Sequence, residues 1–111
     1  MTVLQLSGPQ LSGLVVHWHN ETELGRLAAA WPLDDPRFEL IVVDNGSSRP
    51  LPLPPGVRRI DPGTNLGFAG GVNAGAAAAR APLLLVLNPD AFPEPGALEA
   101  LLAGFAALPA A

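Results

Sequence analysis

The sequence predicts an α/β chain, with a mostly parallel sheet of about four strands and flanking helices. Three observations carry that prediction. First, Leu83-Leu84-Leu85-Val86-Leu87 is an unbroken apolar run bounded by Pro82 and Pro89. Such a run reads as a strand buried on both faces, the kind found in parallel sheets. Second, apolar residues recur at helical spacing between the strands, as in Leu24, Leu27, Ala28 and Trp31. Third, the elements alternate as β-α-β-(loop)-β-α-β-α, an order that implies right-handed crossovers.

Met1 to Gly13 carries no pattern and is expected to be an arm or a short edge strand. Leu14 to Trp18 is the first strand. Asn20 is a good helix cap, with Glu21 and Glu23 in the first turn, and Pro32 ends the helix that follows. Phe38 to Val43 is the second strand and runs into Asp44-Asn45-Gly46-Ser47-Ser48, a dense turn signal. Arg49 to Gly56 holds four prolines and reads as an extended surface loop. Val57 to Ile60 is a short third strand near an edge, and Asp61 to Asn65 is another turn. Leu66 to Arg80 is helical but rich in glycine, which makes sense where backbone passes close to a ligand or to the sheet. The last helix spans about Gly96 to Leu108. Its stripe of Leu98, Leu101, Leu102, Phe105 and Leu108 is read as core that is partly exposed in this chain, and Trp18 and Trp31 are read as core.

Composition narrows the function. The chain has 111 residues, 49% hydrophobic and 14% charged, which is globular rather than disordered. A net charge of -4 argues against nucleic acid as the partner. All six basic residues are Arg, so Lys-dependent phosphate loops and Schiff-base chemistry are excluded. The absence of Cys removes disulfides, thiolate zinc sites and a Cys nucleophile. Neither a signal peptide nor a membrane span is evident, so a cytoplasmic protein is expected.

Polar clusters follow the strands at His17-Trp18-His19-Asn20, Asp44-Asn45-Gly46-Ser47-Ser48 and Asn88-Pro89-Asp90. A parallel sheet brings these to one edge, and ligands of such sheets sit beyond the carboxyl ends of the strands. Pro89 fixes how Asn88 and Asp90 leave their strand. A carboxylate there is a natural ligand for a hard cation carrying a phosphorylated substrate. His17 and His19, two residues apart, could share a face and bind a transition metal, although no third ligand is visible.

Three blocks resemble the amino-terminal half of a family 2 glycosyltransferase of the Rossmann-like GT-A fold, nearest its rhamnosyltransferase branch. They are Ile41 to Ser48, Asn65 to Gly75, and Leu87-Asn88-Pro89-Asp90-Ala91, in the family's order and separations. The resemblance implies a single nucleotide-sugar-binding domain over 1–111, either truncated or a short natural product. It implies that Asp44 accepts a hydrogen bond from a pyrimidine base, with His17 and His19 flanking that base. Asn45, Asn65, Gly71 and Asn73 would line the nucleotide side. Asn88 would sit near the ribose, and Asp90 would hold Mg²⁺ or Mn²⁺ on the diphosphate. The donor would be a UDP-, dTDP- or GDP-linked sugar, transferred to a hydroxyl acceptor in surface polysaccharide synthesis. That role implies a place in the cytoplasm or at the inner face of the membrane.

The family's catalytic base lies downstream of the Asp-x-Asp block, so no catalytic residue is assigned. Two other readings stand beside this one. A nucleotidyltransferase would need a basic Gly-rich loop after the first strand, where this chain has acidic Asn20-Glu21-Thr22-Glu23. A non-catalytic module would keep the fold and associate as a homo-oligomer through the last helix.

Overall fold

The computed structural model of the protein describes residues 8–46 and 51–108. The expectations for Met1 to Ser7 and for Ser47 and Ser48 lie outside the described residues. Within them the elements are β1 (Leu11–His17), α1 (Glu21–Ala30), β2 (Phe38–Asp44), β3 (Arg58–Ile60), α2 (Gly67–Ala78), β4 (Leu83–Leu87) and α3 (Ala97–Ala106). The four strands form one sheet in the order β3-β2-β1-β4, and every pairing is parallel. The fold is therefore the α/β arrangement expected, of Rossmann-like type.

Strand period sorts the core into two layers. One face of the sheet carries Leu11, Val15, Leu40 and Val42, which pack with Leu24, Leu27, Ala28 and Trp31 of the α1 segment and with Leu98 of α3. The other carries Leu14, Ile41 and Val43 beneath Val72 of α2. Each fully buried aliphatic side chain contributes about 1.5–3 kcal/mol, so these two layers supply most of the stabilisation. Trp31 packs against β1 at Gly13, which has no side chain, and a Cβ there would fall 2.3 Å from the indole. The indole nitrogen donates to the Phe38 carbonyl oxygen at 3.4 Å.

The amino end of the sheet is closed by a polar network around Glu39. Its Oε2 accepts from Ser12 Oγ at 2.5 Å and from the Arg80 N–H at 2.8 Å, and its Oε1 pairs with Arg58 at 2.7 Å. Arg58 also donates to the Ala78 carbonyl oxygen at 2.7 Å, which ties the end of α2 to β3. Burial opposes the charge of Glu39, but the hydrogen bonds outweigh it and hold the carboxyl below its usual range.

Three expectations need correction, and a fourth, the partly exposed stripe of α3, is made specific. Leu11 to Gly13 belongs to a central strand rather than to an arm or edge, because β1 pairs with β2 from Leu11 onward. The apolar run of β4 is covered on one face only. Leu83, Leu85 and Leu87 pack on the core, while Leu84 and Val86 are each 40% exposed. The reason is position, since β4 ends the sheet and α2 lies over β1, β2 and β3. The stripe of α3 divides likewise, with Leu98 and Leu102 inward and Leu101, Phe105 and Leu108 outward. Finally, the Pro-rich loop is not wholly at the surface, because Leu51 is buried in the core and Leu53 packs against it. The expected edge position of the third strand holds, as does the close approach of the Gly-rich helix to the sheet.

That approach has a number attached. A Cβ at Gly75 would lie 2.1 Å from Leu14 Cδ1, and Leu14 is fully buried and has nowhere to move. Overpacking costs about 1–3 kcal/mol, more than the roughly 1 kcal/mol that Ala gains over Gly in a helix. Gly75→Ala is therefore expected to destabilise by about 1 kcal/mol or more. Gly25→Ala and Gly104→Ala, where a Cβ meets nothing within 4 Å, are expected to stabilise by up to about 1 kcal/mol. Urea unfolding of the three variants checks both signs.

Candidate functional site

The polar turns after β1, β2 and β4 meet at the carboxyl edge of the sheet, together with the start of α2. The β2 turn is bound in tightly. Gly46 has φ +87, and a Cβ there would lie 2.7 Å from the backbone nitrogen of Asn65. Asn45 is buried, and its backbone N–H donates to the His17 carbonyl oxygen at 2.9 Å. Its side chain accepts from the Leu66 N–H at 2.8 Å and donates to the Gly67 carbonyl oxygen at 3.0 Å. Gly67, at φ +74, places its own N–H on Asn65 Oδ1 at 2.8 Å.

Two adjoining cavities open at this edge. One, of about 290 Å³, has Trp18, Asn45, Asn65, Gly67, Phe68 and Asn88 among its lining residues. The other, of about 370 Å³, is lined by Asn20, Glu23, Asn88, Pro89 and Asp90. Both share Asn20, Asn88 and Pro89, so they flank the same turn after β4. A larger cavity of about 430 Å³ lies between Ala30, Pro32, Pro95 and Leu98, and no motif residue lines it.

The structure brings together some of the expected residues and separates others. Asn45, Asn65 and Asn88 line the first cavity, and Asp90 lines the second. Gly71 is buried against Val16 and Asn45, so it serves packing, and Asn73 is exposed elsewhere on α2. His17 and Asp44 sit side by side in register, on the opposite face of the sheet from Val16. Asp44 is 1% exposed and pairs with Arg59 at 2.6 Å. His19, at φ +59, turns its ring to the surface against Trp18, with centroids 4.7 Å apart. The two histidines therefore do not share a face. Among the described residues no group of three or more His, Cys, Asp or Glu is assembled to hold a metal.

Trp18, expected in the core, is 54% exposed and forms a wall of the first cavity, with Phe68 at 62% also lining it. Asn20 and Glu23 were not singled out as site residues. Strand β1 ends at His17 and His19 has φ +59, so the turn beyond the strand carries Trp18 and Asn20 to the cleft.

An α/β sheet of parallel strands with clefts at its carboxyl edge defines a Rossmann-like, ligand-binding architecture. The family model for glycosyl transferase family 2 matches residues 19–111. The chain belongs to that family. No curated protein matches it significantly.

His17 gives the site a pH signature. It is fully buried, neither ring nitrogen has a hydrogen-bond partner among the described residues, and Nε2 lies 3.9 Å from Glu21 Oε1. Burial lowers its pKa below the ordinary 6.5, and Asp44 and Glu21 only partly oppose that. Below pH 6.5 the unfolded chain binds a proton at His17 that the folded chain refuses, so stability falls as pH drops until the folded pKa is reached. The slope for one proton is at most about 1.4 kcal/mol per pH unit. Thermal midpoints between pH 7.5 and 5.5 are expected to fall less in His17→Leu than in the wild type.

Proposed function

We propose that the cleft at the carboxyl edge binds the nucleoside diphosphate portion of a sugar donor for transfer to a hydroxyl acceptor. One observation carries this reading: two adjoining cavities in a family 2 glycosyltransferase chain, which share Asn20, Asn88 and Pro89, gather two exposed aromatics, several amides and two carboxylates. Trp18 and Phe68 offer faces to a base, and such stacking is worth about 1–3 kcal/mol. Asn65 and Asn88 offer donors and acceptors to base and ribose. His17, Asp44, Gly71 and Asn73 do not line the cleft. The reading gives the first three a supporting role beneath it.

The donor set fits a hard divalent cation. Asp90 and Glu23 are carboxylates and Asn20 and Asn88 carry amide oxygens, with no sulfur or imidazole among them. Asp90 would hold Mg²⁺ or Mn²⁺, with Glu23 within the same cleft. When bound, the cation offsets the charge that develops on the departing diphosphate. The finer expectations of a UDP-, dTDP- or GDP-linked donor, a rhamnosyltransferase-like chemistry and a role in surface polysaccharide synthesis in the cytoplasm belong to this proposal.

Calorimetric titration with UDP, dTDP and GDP, with and without Mn²⁺, tests it. One diphosphate is expected to bind in a metal-dependent way. Asp90→Ala is expected to abolish the metal dependence, and Trp18→Ala to weaken binding about tenfold or more. No affinity for any diphosphate, or metal dependence that survives Asp90→Ala, sinks the reading. A second reading rests on the outward Leu101, Phe105 and Leu108 of α3. A dimer in sedimentation, combined with no nucleotide affinity, would favour a non-catalytic self-associating module.

A further inference from the structure

We infer that Asn45 is a positioning residue, whose amide sets the wall of the cleft formed by Asn65, Gly67 and Phe68. The inference rests on the proposed nucleotide site for its functional meaning, but its geometry stands alone. The amide reaches across from the end of β2 and bridges two consecutive residues at the start of α2. Oδ1 accepts from the Leu66 N–H and Nδ2 donates to the Gly67 carbonyl oxygen. A backbone N–H can only donate and a carbonyl oxygen can only accept, so the orientation of the amide is fixed by its partners.

Leu66, the N-cap residue of α2, makes no side-chain cap bond, and Gly67 begins the helix with a left-handed backbone. Asn65 takes the Gly67 N–H, and Asn45, from the turn after β2, holds the Leu66 N–H and the Gly67 carbonyl oxygen. Two further features keep Asn45 in place. Its backbone N–H is bonded to the β1 end at His17. The glycine turn at Gly46 packs directly on Thr64 and Asn65. Phe68 follows Gly67 directly and Asn65 precedes Leu66, so both wall residues inherit their positions from the segment that Asn45 grips. A ligand contact alone would not require both ends of the amide to be engaged with backbone.

The discriminating variant is Asn45→Asp. The carboxylate keeps the acceptor for Leu66 but sets an oxygen against the Gly67 carbonyl. Protonation restores a donor at that place, so the wall should re-form as pH falls. Asn45→Leu is the control that cannot titrate. Two readouts are needed: the amide NMR shifts of residues 65–68 without ligand, and the affinity for the diphosphate that the wild type binds with Mn²⁺. At pH 7.5, Asn45→Asp is expected to shift those amides and to bind about tenfold more weakly, in line with the loss of one buried hydrogen bond. Both are expected to return toward the wild-type values at the same pH toward pH 5, in Asn45→Asp and not in Asn45→Leu.

Unmoved amides in Asn45→Asp, or a loss of affinity that no pH recovers while the amides do recover, would overturn the inference. If the wild type binds no diphosphate, the proposed function fails separately. The inference is then decided by the amides alone, supported by their pH-dependent return and overturned by its absence.

Discussion

Helix α2 rests on β1 at a distance that only glycine permits. Gly71 and Gly75 face the strand, and a Cβ on either would lie within 2.8 Å of Val16 or 2.1 Å of Leu14. Such closeness has two costs. Glycine lowers helix propensity by about 1 kcal/mol per residue, and it offers no side chain to bury. Helix α2 accordingly contributes little beyond Val72 and the neighbouring Ala79 to its face of the core. Its position is secured at the ends instead. Asn45 grips the first turn, and Arg58 donates to the Ala78 carbonyl oxygen at the last. The cleft depends on this arrangement, because its wall is the beginning of the helix.

Strand β3 shows the same economy. It has only three residues, yet it carries two neighbouring arginines that point to opposite faces. Arg58 meets Glu39 on one face and Arg59 meets Asp44 on the other, at 2.7 and 2.6 Å. Each carboxylate belongs to β2, so two ion pairs staple the short edge strand to the central one. Removing the arginine of such a pair takes a charge partner from a buried carboxylate, which costs more than the pair is stabilising. The charged residues of a weakly charged chain are therefore partly committed to holding its sheet together.

This commitment explains how much of the molecule could be read in advance. The order of elements, the parallel sheet, the edge position of β3 and the close glycine helix all follow from local pattern. The turns at Asn45, Asn65, Asn88 and Asp90 were legible as members of one edge. What the pattern could not decide was allegiance. Asp44 looks the same in sequence whether it faces a ligand or Arg59, because its partner is 15 residues away in another strand. Trp18 is as apolar as Trp31, and only the end of β1 at His17 and the turn beyond it put one outside and the other inside. An apolar run such as β4 reports that a face can be buried, not that a cover for it lies within the same sheet.

Strand parity also bears on what the cleft can accept. At the carboxyl ends of β1 and β2, His17 and Asp44 are buried and paired in register on one side, while Val16 on the other side of β1 and Asn45 after β2 line the cavity. Among the described residues that line it, the adjoining cleft has two carboxylates, Glu23 and Asp90, and no basic side chain. A diphosphate entering it alone meets like charge, at about 1 kcal/mol per pair at 4 Å in water and several times that near a protein surface. A divalent cation between them would add an attraction to each anion that offsets this repulsion. Under the proposed function, the acidity of the cleft, which by itself would repel the ligand, would therefore make diphosphate binding depend on the metal. Metal dependence would then be expected from the charge of the cleft itself.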